Sequence, residues 1–305
     1  MCIRDSCYLV HCYDPSQDEW TTLPPLPVRY FGLGRINGKL VAVGGETNSS
    51  SNKQLVRNSK EVCAFEVRSW KQTIPPMSLA RLRPAVISHK SMLIVAGGEH
   101  LDEVIKTVEI FRQSQWYKTP MNSLPAPCFG LSVVSSDSEN KHYILGGKNN
   151  RGNLNMVMYV SPDDLHCNKK LYGTSDDTLK RKSTEDASSL VDDLRRRATL
   201  DNEQQMTNCP WKLLCSTPTY SPAAATLAGS LIAVGGRERS DGGAVQTKIL
   251  RYSADTNSWI YIGDLPAPKA NTTAATISST ELLVIGGWDG KCVSRTMYKL
   301  TLHLK

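Results

Sequence analysis

Leu40-Val41-Ala42-Val43-Gly44-Gly45, four apolar residues followed by a glycine doublet, is the stretch on which the fold turns. The pattern returns four times: Leu93-Ile94-Val95-Ala96-Gly97-Gly98, Tyr143-Ile144-Leu145-Gly146-Gly147, Leu231-Ile232-Ala233-Val234-Gly235-Gly236 and Leu282-Leu283-Val284-Ile285-Gly286-Gly287. Runs this short cannot make a helix, and unbroken apolarity suits a strand covered on both faces. The glycines supply the positive φ needed where such a strand stops abruptly against its neighbour.

Five tryptophans, Trp20, Trp70, Trp116, Trp211 and Trp259, interleave with the doublets at a regular spacing, from Trp20 ahead of Gly44 to Trp259 ahead of Gly286. An aromatic that ends an apolar stretch stands at Tyr13, Phe65, Phe111, Tyr159, Tyr252 and Tyr298. Turn-forming segments such as Asp14-Pro15-Ser16 and Ala254-Asp255-Thr256-Asn257 separate these aromatics from the tryptophans, as in hairpins. Proline-rich punctuation, Leu23-Pro24-Pro25-Leu26-Pro27 and Leu265-Pro266-Ala267-Pro268, precedes the next apolar run. Four short strands per unit of about 50 residues, closed around an axis, solve the problem of unpaired sheet edges. The sequence therefore predicts an all-β propeller whose doublet glycines and five tryptophans are packing residues.

The ordered set of Gly-Gly, Tyr or Phe, and Trp resembles the kelch-repeat family over residues 8–304, one insertion apart. With strands labelled a to d from the axis outward, the chain opens on c and d, runs through four complete sets and ends on a, b and c. This count predicts a six-bladed ring truncated of its N-terminal strands. A five-bladed ring, in which the Trp20 strand completes the last blade, is the alternative. Residues 1–7 match no repeat and are set aside as an artefact or linker, and residues 8–305 form the propeller.

Between the Tyr159 strand and Trp211 the repeat is expanded, and residues 163–208 are highly charged with Tyr172 as the one aromatic. Such a segment is expected to be partly disordered, with a short helix over 183–200. Arg196-Arg197-Ala198-Thr199 has the form of a basophilic kinase site, and Arg181-Lys182-Ser183 is a poorer version, so Thr199 and Ser183 are candidate phosphosites. The two basic clusters also have the form of a nuclear signal, which makes a nuclear location the alternative to a cytoplasmic one.

Over 305 residues the net charge of +7 is spread along the chain, and no helix, finger or RNA-binding pattern points to nucleic acid. No apolar run approaches the roughly 20 residues of a membrane span. Nine cysteines without a CxxC pair indicate a reducing compartment, here the cytoplasm. Six histidines fall in different repeats without metal-ligand spacing, and no nucleophile elbow or phosphate loop occurs. No catalytic residue, metal or cofactor is expected.

Alternating strand direction places the d–a and b–c connections on one face. Long b–c loops are expected at 46–59, 99–105, 237–246 and 288–293 on that face, where recognition residues tend to reside. The resemblance implies that Arg and Tyr near the starts of the a strands hold peptides. The matching positions are Arg29, Tyr30, Arg81, Arg83, Phe129, Tyr220, Lys269 and Asn271, with Arg237 nearby. Arginine forks among aromatics suit an acidic or phosphorylated peptide. The expected function is thus a non-enzymatic protein-binding scaffold, such as the substrate-recognition part of a ubiquitin-ligase adaptor. A cytoskeletal kelch protein and a propeller enzyme with an axial metal are the alternatives.

Overall fold

The computed structural model describes residues 2–4, 10–48, 56–118, 122–136, 139–165 and 209–301. These fold as a β-propeller. Four blades are four-stranded antiparallel sheets, the first made of Gly32–Ile36, Lys39–Val43, Val62–Glu66 and Ser69–Ile74. The second to fourth open on the inner strands Ala85–His89, Ser132–Ser136 and Ala223–Leu227. A fifth blade has three described strands, Thr273–Thr276, Glu281–Ile285 and Met297–Thr301.

The apolar runs are the second strands, and their alternation explains why they are apolar throughout. In Met92–Ala96, Leu93 and Val95 join the cluster shared with the first blade, while Ile94 and Ala96 join the one shared with the third. A strand between two sheets has no solvent side, so both of its faces must be apolar. Each side chain of this size that is buried contributes about 1.5–3 kcal/mol.

Besides the five blades there is an N-terminal sheet of three strands, Cys2–Arg4, Val10–Asp14 and Glu19–Leu23. It stands between the fifth and first blades. Val10 packs with Phe31, Ala42 and Cys63 on one side, and Tyr13 packs with Leu283 and Ile285 on the other. The Trp20 strand does not complete the fifth blade: it pairs with Val10–Asp14 of its own sheet. Residues 1–7, set outside the repeats on sequence grounds, include a strand that runs antiparallel to Val10–Cys12.

The doublets join each blade to the next. Gly97 has a φ of 63°, and a Cβ there would lie 2.3 Å from the carbonyl oxygen of Cys128, in the connection to the third blade. Gly98 donates its N–H to that same carbonyl at 2.9 Å. The tryptophans form a second set of links on the outer side. The indole N–H of Trp70 donates to Pro24 O at 2.8 Å, Trp116 to Pro75 O at 2.6 Å, Trp211 to Asn122 O at 2.8 Å and Trp259 to Cys215 O at 3.2 Å. Each therefore reaches back to the segment that leaves the preceding sheet, where the proline-rich punctuation lies. Trp20 has no such acceptor among the described residues and is 42% exposed.

In the third blade a 3-10 turn at Pro162–Asp164 follows the third strand, and the outer strand is the short Lys212–Leu213. Ser183, Thr199 and the expected helix over 183–200 lie outside the described residues.

Candidate functional site

Five connections lead from one sheet into the inner strand of the next blade, and they repeat one local structure. The central residue of each, Arg29, Leu82, Phe129, Tyr220 or Ala270, forms a two-way backbone bridge with the residue that follows a doublet: Glu46, Glu99, Lys148, Arg237 or Trp288. The residue after the bridge is left-handed in every blade, at Tyr30 (φ 56°), Arg83 (52°), Gly130 (63°), Ser221 (48°) and Asn271 (50°). The bend turns the chain from the rim into the inner strand. For a residue with a Cβ this conformation costs about 1–2 kcal/mol, and such strain tends to persist where side-chain placement matters.

All five left-handed residues line one cavity of about 620 Å³ at the mouth of the axis, together with the starts of the inner strands. Arg83 is the most elaborately held side chain there. Its guanidinium lies 4.4 Å from the centre of the Tyr30 ring and 5.7 Å from that of Phe129, sandwiched between two aromatics from neighbouring blades. Glu99 approaches it at 3.7 Å. Burial pushes the Glu99 carboxyl above its usual range, and Arg83 partly offsets this. Lys148 also lines the cavity. Burial, then the nearby charges of Arg237 and Arg83, hold its ammonium below the usual lysine value.

No family model matches the chain, and no curated protein matches it in sequence. Its fold is shared with many solved structures. One, described as "Structure of YjhT", is 15% identical, with a TM-score of 0.68 over 97% of this chain and 89% of that one. The likeness is one of fold.

The residues expected at the rim fall into distinct places in this repeat. Tyr30, Arg83 and Asn271 occupy the left-handed position and face the cavity, and Phe129 lines it from the bridge position. Arg29 and Tyr220 are also bridge residues. The Arg29 side chain is engaged by the Glu46 carboxylate. Arg237 stands opposite Tyr220 at the base of a two-stranded ribbon, Arg237–Arg239 with Gly242–Val245.

Arg81 and Lys269 are not rim residues, contrary to expectation. Each stands one residue before a bridge, a position buried in all five blades as Val28, Arg81, Cys128, Thr219 and Lys269. Arg81 donates to Gly97 O and Thr107 O at 2.8 Å and pairs with Glu109. Lys269 donates to the hydroxyls of Ser294 and Thr296, with the Tyr298 ring 5.3 Å away. Their charge serves the interior of a blade and is sealed from any partner.

Lys148 and Ser221 are among the cavity residues that escaped the sequence reading. Lys148 follows the third doublet as Arg237 follows the fourth, in a b–c connection that joins Lys141–Leu145 to Val157–Val160 and matches those of the second and fifth blades in length, although it was absent from the expected loops. This connection forms a ribbon, Lys148–Asn149 with Gly152–Asn153. Elsewhere, His89 and His142 from different repeats meet at 3.1 Å in the interior, with Ser135 on the other ring nitrogen of His142. Among the described residues no three His, Cys, Asp or Glu side chains gather as metal ligands, and no helix is long and apolar enough to cross a membrane.

Proposed function

We propose that this chain is a kelch-type propeller acting as a non-enzymatic scaffold, which binds an acidic or phosphorylated segment of a protein partner at the axial mouth. One observation carries the reading. Five equivalent left-handed positions, four of them strained because they carry a Cβ, place Tyr30, Arg83, Gly130, Ser221 and Asn271 around one cavity whose charged lining is cationic. Cations beside aromatic faces recognise carboxylates and phosphates, and an extended peptide can cross a shallow mouth of this volume.

The reading extends to the ring as a six-membered closure. The N-terminal sheet fills the interval between the fifth and first blades through Tyr13 and Val10, and it contributes no inner strand among the described residues. Free thiols at Cys12, Cys63, Cys128, Cys209, Cys215 and Cys292 suit a reducing compartment such as the cytoplasm. Presentation of the bound partner to a ubiquitin ligase is the adaptor role that fits this scaffold.

The test is fluorescence anisotropy of the full chain with a labelled acidic peptide, titrated against Arg83→Ala. Saturable binding that weakens about tenfold in the variant is the expected result, the scale for losing a hydrogen bond to a charged group. Binding unchanged by Arg83→Ala would place recognition elsewhere on the molecule.

A further inference from the structure

The charges at the mouth are not evenly distributed around the ring. The five residues that follow the doublets, read in chain order, are Glu46, Glu99, Lys148, Arg237 and Trp288. In the first two blades this position is acidic, and each acid meets an arginine of its own blade: Glu46 holds Arg29, and Glu99 lies at 3.7 Å from Arg83. In the third and fourth blades the position is basic. Among the described residues neither Lys148 nor Arg237 has an ion-pair partner.

We propose that the third and fourth blades form the anion seat of the mouth, and that a doubly negative element of the partner is bound between Lys148 and Arg237 with Arg83 as its third contact. This rests on the reading that the mouth takes an acidic segment, and it states where on the rim the charge is read and how much of it. Arg83, Lys148 and Arg237 supply three positive charges and Glu99 removes one, which leaves two to be matched. A phosphorylated side chain or two adjacent carboxylates present that charge equally well.

The arrangement is hard to explain as a device for stability. Three like charges with one carboxylate among them repel, and Lys148 is partly withdrawn from water, where repulsion is less screened. Like-charge clusters with shifted titration at the edge of a cavity mark binding sites more often than packing. Ser221 lies between the two blades on the cavity wall, but its hydroxyl donates to Gly147 O at 2.6 Å, so the cations and not this hydroxyl carry the anion contact. On the other side Arg29, already engaged by Glu46, would have to exchange one carboxylate for another, which yields little net gain.

Three labelled peptides of one sequence serve as probes, carrying Ser, phosphoserine or Glu-Glu at the centre, in anisotropy titrations of the full chain. The variants are Lys148→Gln, Arg237→Gln, Arg29→Gln and, as a control on the outer strand of the first blade, Lys71→Gln, each checked by circular dichroism. The phosphoserine and Glu-Glu peptides are expected to bind and the Ser peptide to bind at least about tenfold more weakly. Lys148→Gln and Arg237→Gln should each lose about tenfold, and Arg29→Gln should stay within about twofold of the parent. A preference of phosphoserine over Glu-Glu, or the reverse, identifies the source of the charge. If Arg29→Gln weakens binding as much as Lys148→Gln does, the seat is misplaced although the mouth still binds acidic peptides. If the parent protein binds neither charged peptide, the reading of the mouth fails and this inference falls with it.

Discussion

Arg81 and Glu109 meet at 3.0 Å in the interior of the second blade, with neither side chain exposed. Burial lowers the tendency of Arg81 to carry its charge, and Glu109 partly offsets this. Each partner has further hydrogen bonds: Glu109 accepts the backbone N–H groups of Ser78 and Leu79, at 2.7 and 3.2 Å, and Arg81 donates to Gly97 O and Thr107 O, both at 2.8 Å.

Glu109→Leu is expected to destabilise the protein by about 3–5 kcal/mol, because it leaves a buried guanidinium without its counter-ion and two amides without their acceptor. Arg81→Met leaves a buried carboxylate without its counter-ion, so it should cost a similar amount and leave peptide binding unchanged. Urea unfolding followed by tryptophan fluorescence compares the two. A folded Arg81→Met protein that no longer binds an acidic peptide would return Arg81 to the recognition surface.

The glycine doublets allow a paired comparison. Gly97 and Gly286 have nearly the same φ, 63° and 65°, so alanine is equally strained at both. At Gly97 the new Cβ would fall 2.3 Å from Cys128 O, whereas at Gly286 its nearest neighbour is Ser294 O at 3.5 Å. Gly286→Ala should cost about 1–2 kcal/mol, the backbone strain alone. Gly97→Ala must also push two blades apart and should cost several times more, read as a much larger fall in melting temperature.

The indole links predict a different gradient. Replacing Trp116 by Phe keeps the packing against Phe111, whose ring centre is 5.2 Å away, and removes the donor to Pro75 O. A loss of about 1 kcal/mol is expected. Trp20→Phe should be nearly neutral, since Trp20 is exposed and has no such acceptor among the described residues. Equal losses at the two positions in urea unfolding would mean that the indole N–H contributes nothing.

Glu99 gives the rim a pH dependence. Its carboxyl is raised above the ordinary value of 4.5, first by burial and then by the charges of Asp102 and Glu46, with Arg83 opposing. An acid raised in the folded state adds stability that is fully present below 4.5 and is lost as pH rises through the raised value. Just above 4.5, Glu99→Gln should flatten the dependence of melting temperature on pH. Protonation of Glu99 also releases Arg83, so acidic peptides should bind the parent protein more tightly as pH falls through this window. A Gln variant with an unaltered pH profile would show that Glu99 remains ionised throughout.

The sequence by itself determined the propeller. An apolar run that ends in Gly-Gly, such as 93–98, can be satisfied only between two other sheets, and five such runs imply a ring. The connections and their face also followed from strand alternation, since direction reverses with each strand whatever the side chains are. Side-chain fate at a rim position did not follow. Arg81, Arg29 and Arg83 lie close together in type and place, yet one is buried, one is bound by Glu46 and one lines the cavity. The difference is a single step of register relative to the bridge, and the bridge exists only once the residue after a doublet has folded back beside the incoming chain. Lys148 was missed for the same reason, because its importance comes from Arg83 and Arg237, which are distant in sequence and meet only when neighbouring blades close around the axis. Local pattern records what one strand needs from its surroundings, whereas charge balance at the mouth is a sum over five separate connections that only the closed ring brings within reach of one another.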